Sequence, residues 1–159
     1  MTLFRTSMVS GVLAALLGLG ACGTNPMMSG SSAAMPMMSG SSAMTSRLSG
    51  ASEVPPVSGT ASGTLEASLD KQTNVLSWTV TYAGLSGPAT GAHFHGPAMA
   101  GDNAGVAVPL SGSLASPIKG TATLTAAQVA DLKAGKWYVN LHTAANPGGE
   151  IRGQVNVQP

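Results

Sequence analysis

The sequence is short of cysteine and of charge. Cysteine occurs once in the 159 residues, at Cys22, so the chain cannot form an internal disulfide and its fold must rest on a hydrophobic core. Charged residues make up 8% of the chain, with seven Lys and Arg against six Asp and Glu. A surplus of one positive charge is too small to attract phosphate, and we therefore expect no nucleic acid partner.

The sequence also lacks an apolar run long enough for a stable membrane-spanning helix. The run at residues 8–19 is shorter than the roughly 20 residues that such a helix needs. It follows one charge, at Arg5, and ends in small residues before Cys22, a pattern that predicts an export signal over residues 1–21. The letters LGAC at 19–22 resemble the lipobox of bacterial lipoproteins, which implies that Cys22 carries lipid.

Acylation of Cys22 would anchor the mature protein to a lipid bilayer in the bacterial cell envelope. Several acyl chains exceed the two signals that stable anchoring needs. Gly23 stands where aspartate would favour retention in the inner membrane, so the pattern favours the outer membrane. The alternative is a secretory signal that contains a cysteine by chance.

Residues 22–46 are predicted to form a lipidated, flexible tether rich in Met, Ser and Gly. The near-repeat MMSGSSAAMP and MMSGSSAMTS fills residues 27–46 and is typical of low-complexity sequence. Thioethers are soft ligands that suit Cu(I), so clustered methionines are candidate weak Cu(I) ligands, although they are equally consistent with a plain spacer. These methionines are Met27, Met28, Met35, Met37, Met38 and Met44.

Residues 47–158 have the texture of an all-β domain. Short segments in which apolar and polar residues alternate are separated by Gly, Pro and Asn. In residues 76–82, for example, Leu76, Trp78 and Val80 fall on one face of a predicted strand and the intervening Ser and Thr on the other. Further strands are predicted near 58–69, 91–95, 106–110, 119–124, 137–142 and 150–157.

One short helix interrupts these strands. Thr125 and Gln128 have the spacing of a capping box, and Gly135 can end the helix, which is predicted near residues 125–134. So many short strands in one domain predict an antiparallel two-sheet β-sandwich, either Greek-key and immunoglobulin-like or dismutase-like. A barrel is the alternative.

Three motifs in this domain together resemble the CHRD domain, a module first described in chordin and widespread in bacterial exported proteins. They are LSGASEVPPV at 48–57, GAHFHGPA at 91–98, and a stretch over 120–155 that ends in HTAANPGGEIRGQV. The resemblance implies a binding module that covers residues 47–158. It implies no particular activity, because a fold family does not define a mechanism.

The three histidines are the best candidates for a site. His93 and His95 are two residues apart on a predicted strand, so both imidazoles face away from the core residue Phe94. Imidazole nitrogen suits both copper and zinc. His142 lies on the outward face of its own strand and is the predicted third ligand. Glu150 is predicted as a fourth ligand or as an acceptor that fixes an imidazole tautomer.

Two functions of different class stay open. The first is a metal-binding module that holds copper or zinc through the histidine cluster. The second is a cell-envelope adhesion or structural module that binds an envelope protein or a glycan, with histidines that only hydrogen-bond the backbone. Enzymatic activity is not expected, because no Ser-His-Asp pattern is evident and dismutase chemistry needs more histidines and a disulfide.

Overall fold

The computed structural model describes residues 40–159, which are mostly β-sheet with one short helix. The strands are β1 (Ser41–Ser49), β2 (Ser62–Asp70), β3 (Val75–Ala83), β4 (Ala89–His95), β5 (Val106–Pro109), β6 (Ile118–Thr123), β7 (Tyr138–Thr143), β8 (Ile151–Gln154) and β9 (Asn156–Val157). The helix α1 is Ala126–Lys133, and a 3-10 turn covers Gly50–Ser52. No helix in this part of the chain is long and apolar enough to cross a membrane.

Several predictions fall outside residues 40–159 and stay predictions. They concern the signal peptide, the lipid on Cys22, most of the tether, and the tether methionines Met27, Met28, Met35, Met37 and Met38.

The nine strands form one antiparallel sheet, with the neighbour order β5-β4-β7-β8-β1-β2-β3-β6 and with β9 paired to β1. Trp78 in β3 and Phe94 in β4 are far apart in this order, yet their ring centroids are 5.4 Å apart in a T-shaped pair. The sheet therefore curls around one core and is nearly closed and barrel-like.

This architecture corrects the predicted two-sheet sandwich. Inward and outward residues alternate along the strands of a sandwich and of a barrel alike, so the alternation could not separate the two. The distinction depends on the join between β8 and β1, where the pair Ser49 and Arg152 makes the sheet continuous.

The core is built as the alternation predicts. Leu76, Val80 and Phe94 are fully buried, and Leu141 and Ile151 reach the same core from β7 and β8. The short helix is confirmed together with its cap: the Thr125 hydroxyl accepts from the Gln128 backbone N–H, and the Gln128 side chain accepts from the Thr125 N–H. The helix contributes Leu132 to the core.

Strand β1 corrects the predicted boundary between tether and domain. Ser41–Ser49 pairs with β2 along its full length, although its composition is that of the low-complexity segment before it. Met44 and Leu48 point inward, and Met44 is 1% exposed in the core. Met44 is therefore a packing residue and not a tether ligand for Cu(I).

Truncation of Met44 should destabilise the domain. We expect Met44→Ala to lower the free energy of unfolding by about 2–5 kcal/mol, because it removes a buried side chain and leaves a cavity. The matched control is Met99→Ala, since Met99 is 56% exposed and should change stability by about 0.5 kcal/mol or less. Urea denaturation measures both, and equal effects would place Met44 outside the core.

Candidate metal centre

The three histidines meet on the outer face of two paired strands. In β4, Ala92 and Phe94 point into the core, so His93 and His95 point outward. Strand β7 pairs with β4 so that His142 lies opposite Gly91 and beside His93. One nitrogen from each imidazole lies within 4.8 Å of the other two. The predicted convergence of the histidines is therefore present in the structure.

Backbone carbonyls fix the tautomers of two of the rings. His142 Nδ1 lies 3.0 Å from the carbonyl oxygen of Pro147, and His95 Nδ1 lies 3.0 Å from that of Ala104. A carbonyl only accepts, so both Nδ1 atoms carry the proton and both Nε2 atoms carry a lone pair. His142 Nε2 uses its lone pair to accept from His93 Nδ1 at 3.0 Å.

The lone pair of His95 has no such use. His95 Nε2 is buried and has no hydrogen-bond partner. An unpaired buried acceptor costs about 1–3 kcal/mol, which a bound cation would offset. Histidines that bind metal commonly donate their other N–H to a carbonyl, as His95 and His142 do.

The spacing of the cluster suits one ion after a small rearrangement. Metal–nitrogen bonds of about 2.0–2.1 Å place two ligand nitrogens on one ion no more than about 4.2 Å apart. Three nitrogens in a tetrahedral shell lie about 3.4 Å from one another, so the observed limit of 4.8 Å requires the rings to approach by up to about 1.4 Å. Gly91 leaves space for this, because a Cβ there would lie 3.2 Å from His93 Cε1 and 3.6 Å from His142 Cδ2.

The surroundings of His93 and His142 favour the neutral form of both imidazoles. Burial lowers the pKa of His93 below its ordinary value, and the neighbouring His142 and His95 lower it further. Burial also lowers the pKa of His142, against the opposing effect of its hydrogen bond to Pro147. Neutral imidazole is the form that can bind a metal ion, so His93 and His142 are in that form at neutral pH.

An aromatic and cationic stack holds His95 from the side. Its ring lies parallel to that of Tyr138, with centroids 4.8 Å apart and an interplanar angle of 1°. Arg152 Cζ lies 3.4 Å from the centroid of the Tyr138 ring. Arg152 comes from β8, the neighbour of β7 on the side away from His95. The stack therefore links three adjacent strands.

Arg152 also fixes the loop that contacts His95. Its guanidinium donates to Asn103 Oδ1 at 2.9 Å and to the carbonyl of Asp102 at 2.6 Å. The next residue but one after Asp102 is Ala104, whose carbonyl accepts from His95. Arg152 is only 2% exposed, so this cation organises the loop from within the protein.

Glu150 does not join the cluster, and both of its predicted roles are wrong. Its carboxylate accepts from the backbone N–H and hydroxyl of Ser86, from the Thr143 hydroxyl, and from the Asn146 amide. Burial alone would raise the pKa of Glu150, but these bonds outweigh it and lower the pKa. Glu150 fixes the turn between β7 and β8, and the acceptor for His142 is Pro147 instead.

The sequence motifs that surround this site match a family model. The model of the CHRD domain matches residues 44–155, which include the three histidines and begin within β1. The chain belongs to the CHRD domain family. No curated protein and no solved structure matches the chain.

Sequence reasoning missed several residues that shape this site in the CHRD domain. Gly91 could have been found, because a glycine inside a strand and two residues before His93 marks a close approach on the same face. Tyr138 lies on the outward face of β7, but its stacking on His95 has no signature in sequence. Ala104 and Pro147 act through their carbonyls, so their side chains give no signal.

Glu53 is a further buried polar residue of the CHRD domain, in the segment after the 3-10 turn. It is 5% exposed, and burial raises its pKa to about 7 in spite of the opposing charge of Arg152. Glu53 Oε1 has no hydrogen-bond partner in the described structure. The folded protein therefore binds a proton at Glu53 more tightly than the unfolded chain does.

This difference should make stability depend on pH. The proton that Glu53 holds in the folded state stabilises the domain at low pH, and this contribution is lost as pH rises from 4.5 through about 7. The side chain introduced by Glu53→Gln stays neutral at every pH. As pH rises from 4.5 to about 7, the free energy of unfolding of this variant should therefore increase relative to that of the wild type, by at most about 3 kcal/mol. Urea denaturation at several pH values measures this difference.

Glu66→Gln is the matched control, because Glu66 is exposed on β2. Its difference from the wild type should stay nearly constant with pH. A Glu53→Gln difference that is equally constant would contradict the raised pKa.

Proposed function

We propose that this CHRD domain binds one copper or zinc ion through His93, His95 and His142. The observation that carries the proposal is the buried, unpartnered Nε2 of His95 within a group of three converging imidazoles. Carbonyls hold the Nδ1 protons of His95 and His142, and this leaves their Nε2 lone pairs as the available ligand atoms. Such an arrangement fixes the tautomers of two of the three proposed ligands in the form that binds metal.

The donor set favours copper and zinc over other cations. Imidazole suits these metals, whereas calcium and magnesium prefer carboxylate and carbonyl oxygen. The cluster contains three imidazoles and no carboxylate among the described residues. We propose a binding module without catalysis of its own.

We further propose that the protein is a lipoprotein of the bacterial cell envelope, anchored through Cys22 and directed to the outer membrane. The lipobox-like LGAC supports this proposal. The methionines at 27, 28, 35, 37 and 38 would then form a segment between lipid and domain that can hold Cu(I) weakly. An adhesion or structural role with a protein or glycan partner stays the alternative prediction from the sequence.

Metal titration tests the histidine site. In a Cys22→Ser background, where no thiolate competes, we expect one Cu(II) or Zn(II) ion per chain, measured by isothermal titration calorimetry. His93→Ala with His95→Ala removes two of three ligands and should weaken binding by about 100-fold or more. Glu66→Gln changes an exposed residue on β2 and should bind as the wild type does. Equal affinity of the double variant and the wild type would refute the site.

Metal affinity should also depend on pH. Protons compete with the ion for the imidazoles, and the pKa values of His93 and His142 are lowered, so affinity should change little near neutral pH and fall steeply only at a pH below the ordinary imidazole pKa of about 6.5. The fall should exceed tenfold per pH unit once more than one ring is protonated, with circular dichroism to verify that the domain stays folded. Affinity that is the same at acid and neutral pH would mean that the ligands are not imidazoles.

A further inference from the structure

We infer that a metal ion held by the three histidines keeps one coordination position open, and that this position takes a small monovalent anion. The inference rests on the metal site proposed above. It concerns what the ion can bind in turn, which the three protein ligands alone do not define.

The count of protein ligands is the first support. Zinc and copper bind four or more ligands in most protein sites, and a site with three protein ligands completes its shell with water or an exogenous group. The cluster offers one nitrogen from each of three histidines, and no carboxylate of residues 40–159 belongs to it. Glu150, which the chain order would bring near His142, is already occupied by Ser86, Thr143 and Asn146.

The second support is access to solvent. His95 is 8% exposed and lies against Tyr138, so it forms the inner wall of the site. His93 and His142 are only half-buried. Gly91 lies on the same face beside these two rings and has no side chain to fill the space next to them. A small ligand can therefore reach the ion from the side of His93 and His142.

The third support is charge. Three neutral imidazoles leave the full double charge of the ion in place, because no carboxylate of the described cluster offsets it. A dication is then the largest local charge, and it favours an anion over water in the remaining position. The half-buried setting strengthens this attraction relative to bulk water.

One residue of the chain competes for that position. Asn140 lies on β7 directly opposite His93, is 2% exposed, and has an amide oxygen without a hydrogen-bond partner. Its amide nitrogen, however, borders the same space beside Gly149 as Glu53 Oε1, so the amide is turned toward Glu53. The amide oxygen is thus a rival to the anion that experiment can separate.

Azide titration of the loaded protein tests the inference. The full chain with Cys22→Ser is loaded with one equivalent of Cu(II) and titrated with azide. A parallel titration with nitrate at the same ionic strength is the control. We expect a new azide-to-copper charge-transfer band that saturates at one azide per ion, together with a changed electron paramagnetic resonance spectrum. Copper content after gel filtration must stay at one per chain, since loss of copper to azide would count against the inference.

The outcomes separate the two proposals. Copper that binds in a histidine-dependent way without any response to azide overturns the open position and leaves the metal site intact. A response to azide that occurs only in Asn140→Ala also overturns it, because the amide oxygen then fills the position. Failure of the wild type to bind copper or zinc at all overturns the proposed function itself.

Discussion

The antiparallel pairing of β4 with β7 fixes both faces of the sheet at the same time. On the inner face it places Phe94 against Val139 and its neighbours in the core. On the outer face the same register places His95 beside Tyr138 and His142 beside His93. A slip by one residue would turn the imidazoles inward and Phe94 outward, so burial of the core enforces the geometry of the site.

The outer face of these strands is unusual because it is also covered. Tyr138, Asn140 and Arg152 are nearly as buried as the core, although the alternation of their strands directs them away from it. Such burial is tolerable because their polar atoms are largely engaged: the guanidinium of Arg152 has two acceptors in the loop before β5 and lies over an aromatic ring. The domain thus has a second, polar layer, and the histidines lie at its border with solvent.

Much of the strand content follows from sequence, because period-two alternation reports directly which side chains face the core. The helix is equally predictable from sequence, since the capping pair Thr125 and Gln128 is a local interaction. Strand β1 is not predictable from sequence, because the Ser, Ala and Thr residues around Met44 make the two faces of the strand too similar in hydrophobicity. The continuous sheet depends on which strands become neighbours, and alternation carries no information about that.

The site divides in the same way. The common face of His93 and His95 follows from spacing alone, whereas the proximity of His142 depends on register between strands that are distant in sequence. Glu150 was misplaced for a related reason. It was predicted as a ligand or as an acceptor for an imidazole, but its carboxylate instead accepts from Thr143 and Asn146 in the connection between β7 and β8. Hydrogen bonds within the turn therefore occupy the carboxylate that the sequence pattern had assigned to the histidines.

The two carbonyls that hold His95 and His142 have a consequence for the work of loading an ion. Each ring already carries its proton on the nitrogen that faces the backbone, so neither has to change tautomer to bind the proposed cation. The hydrogen bond between His93 Nδ1 and His142 Nε2 must break before the lone pair of His142 can bind an ion. If the proposed ion binds, the change in hydrogen bonding is therefore limited to the two half-buried rings, His93 and His142.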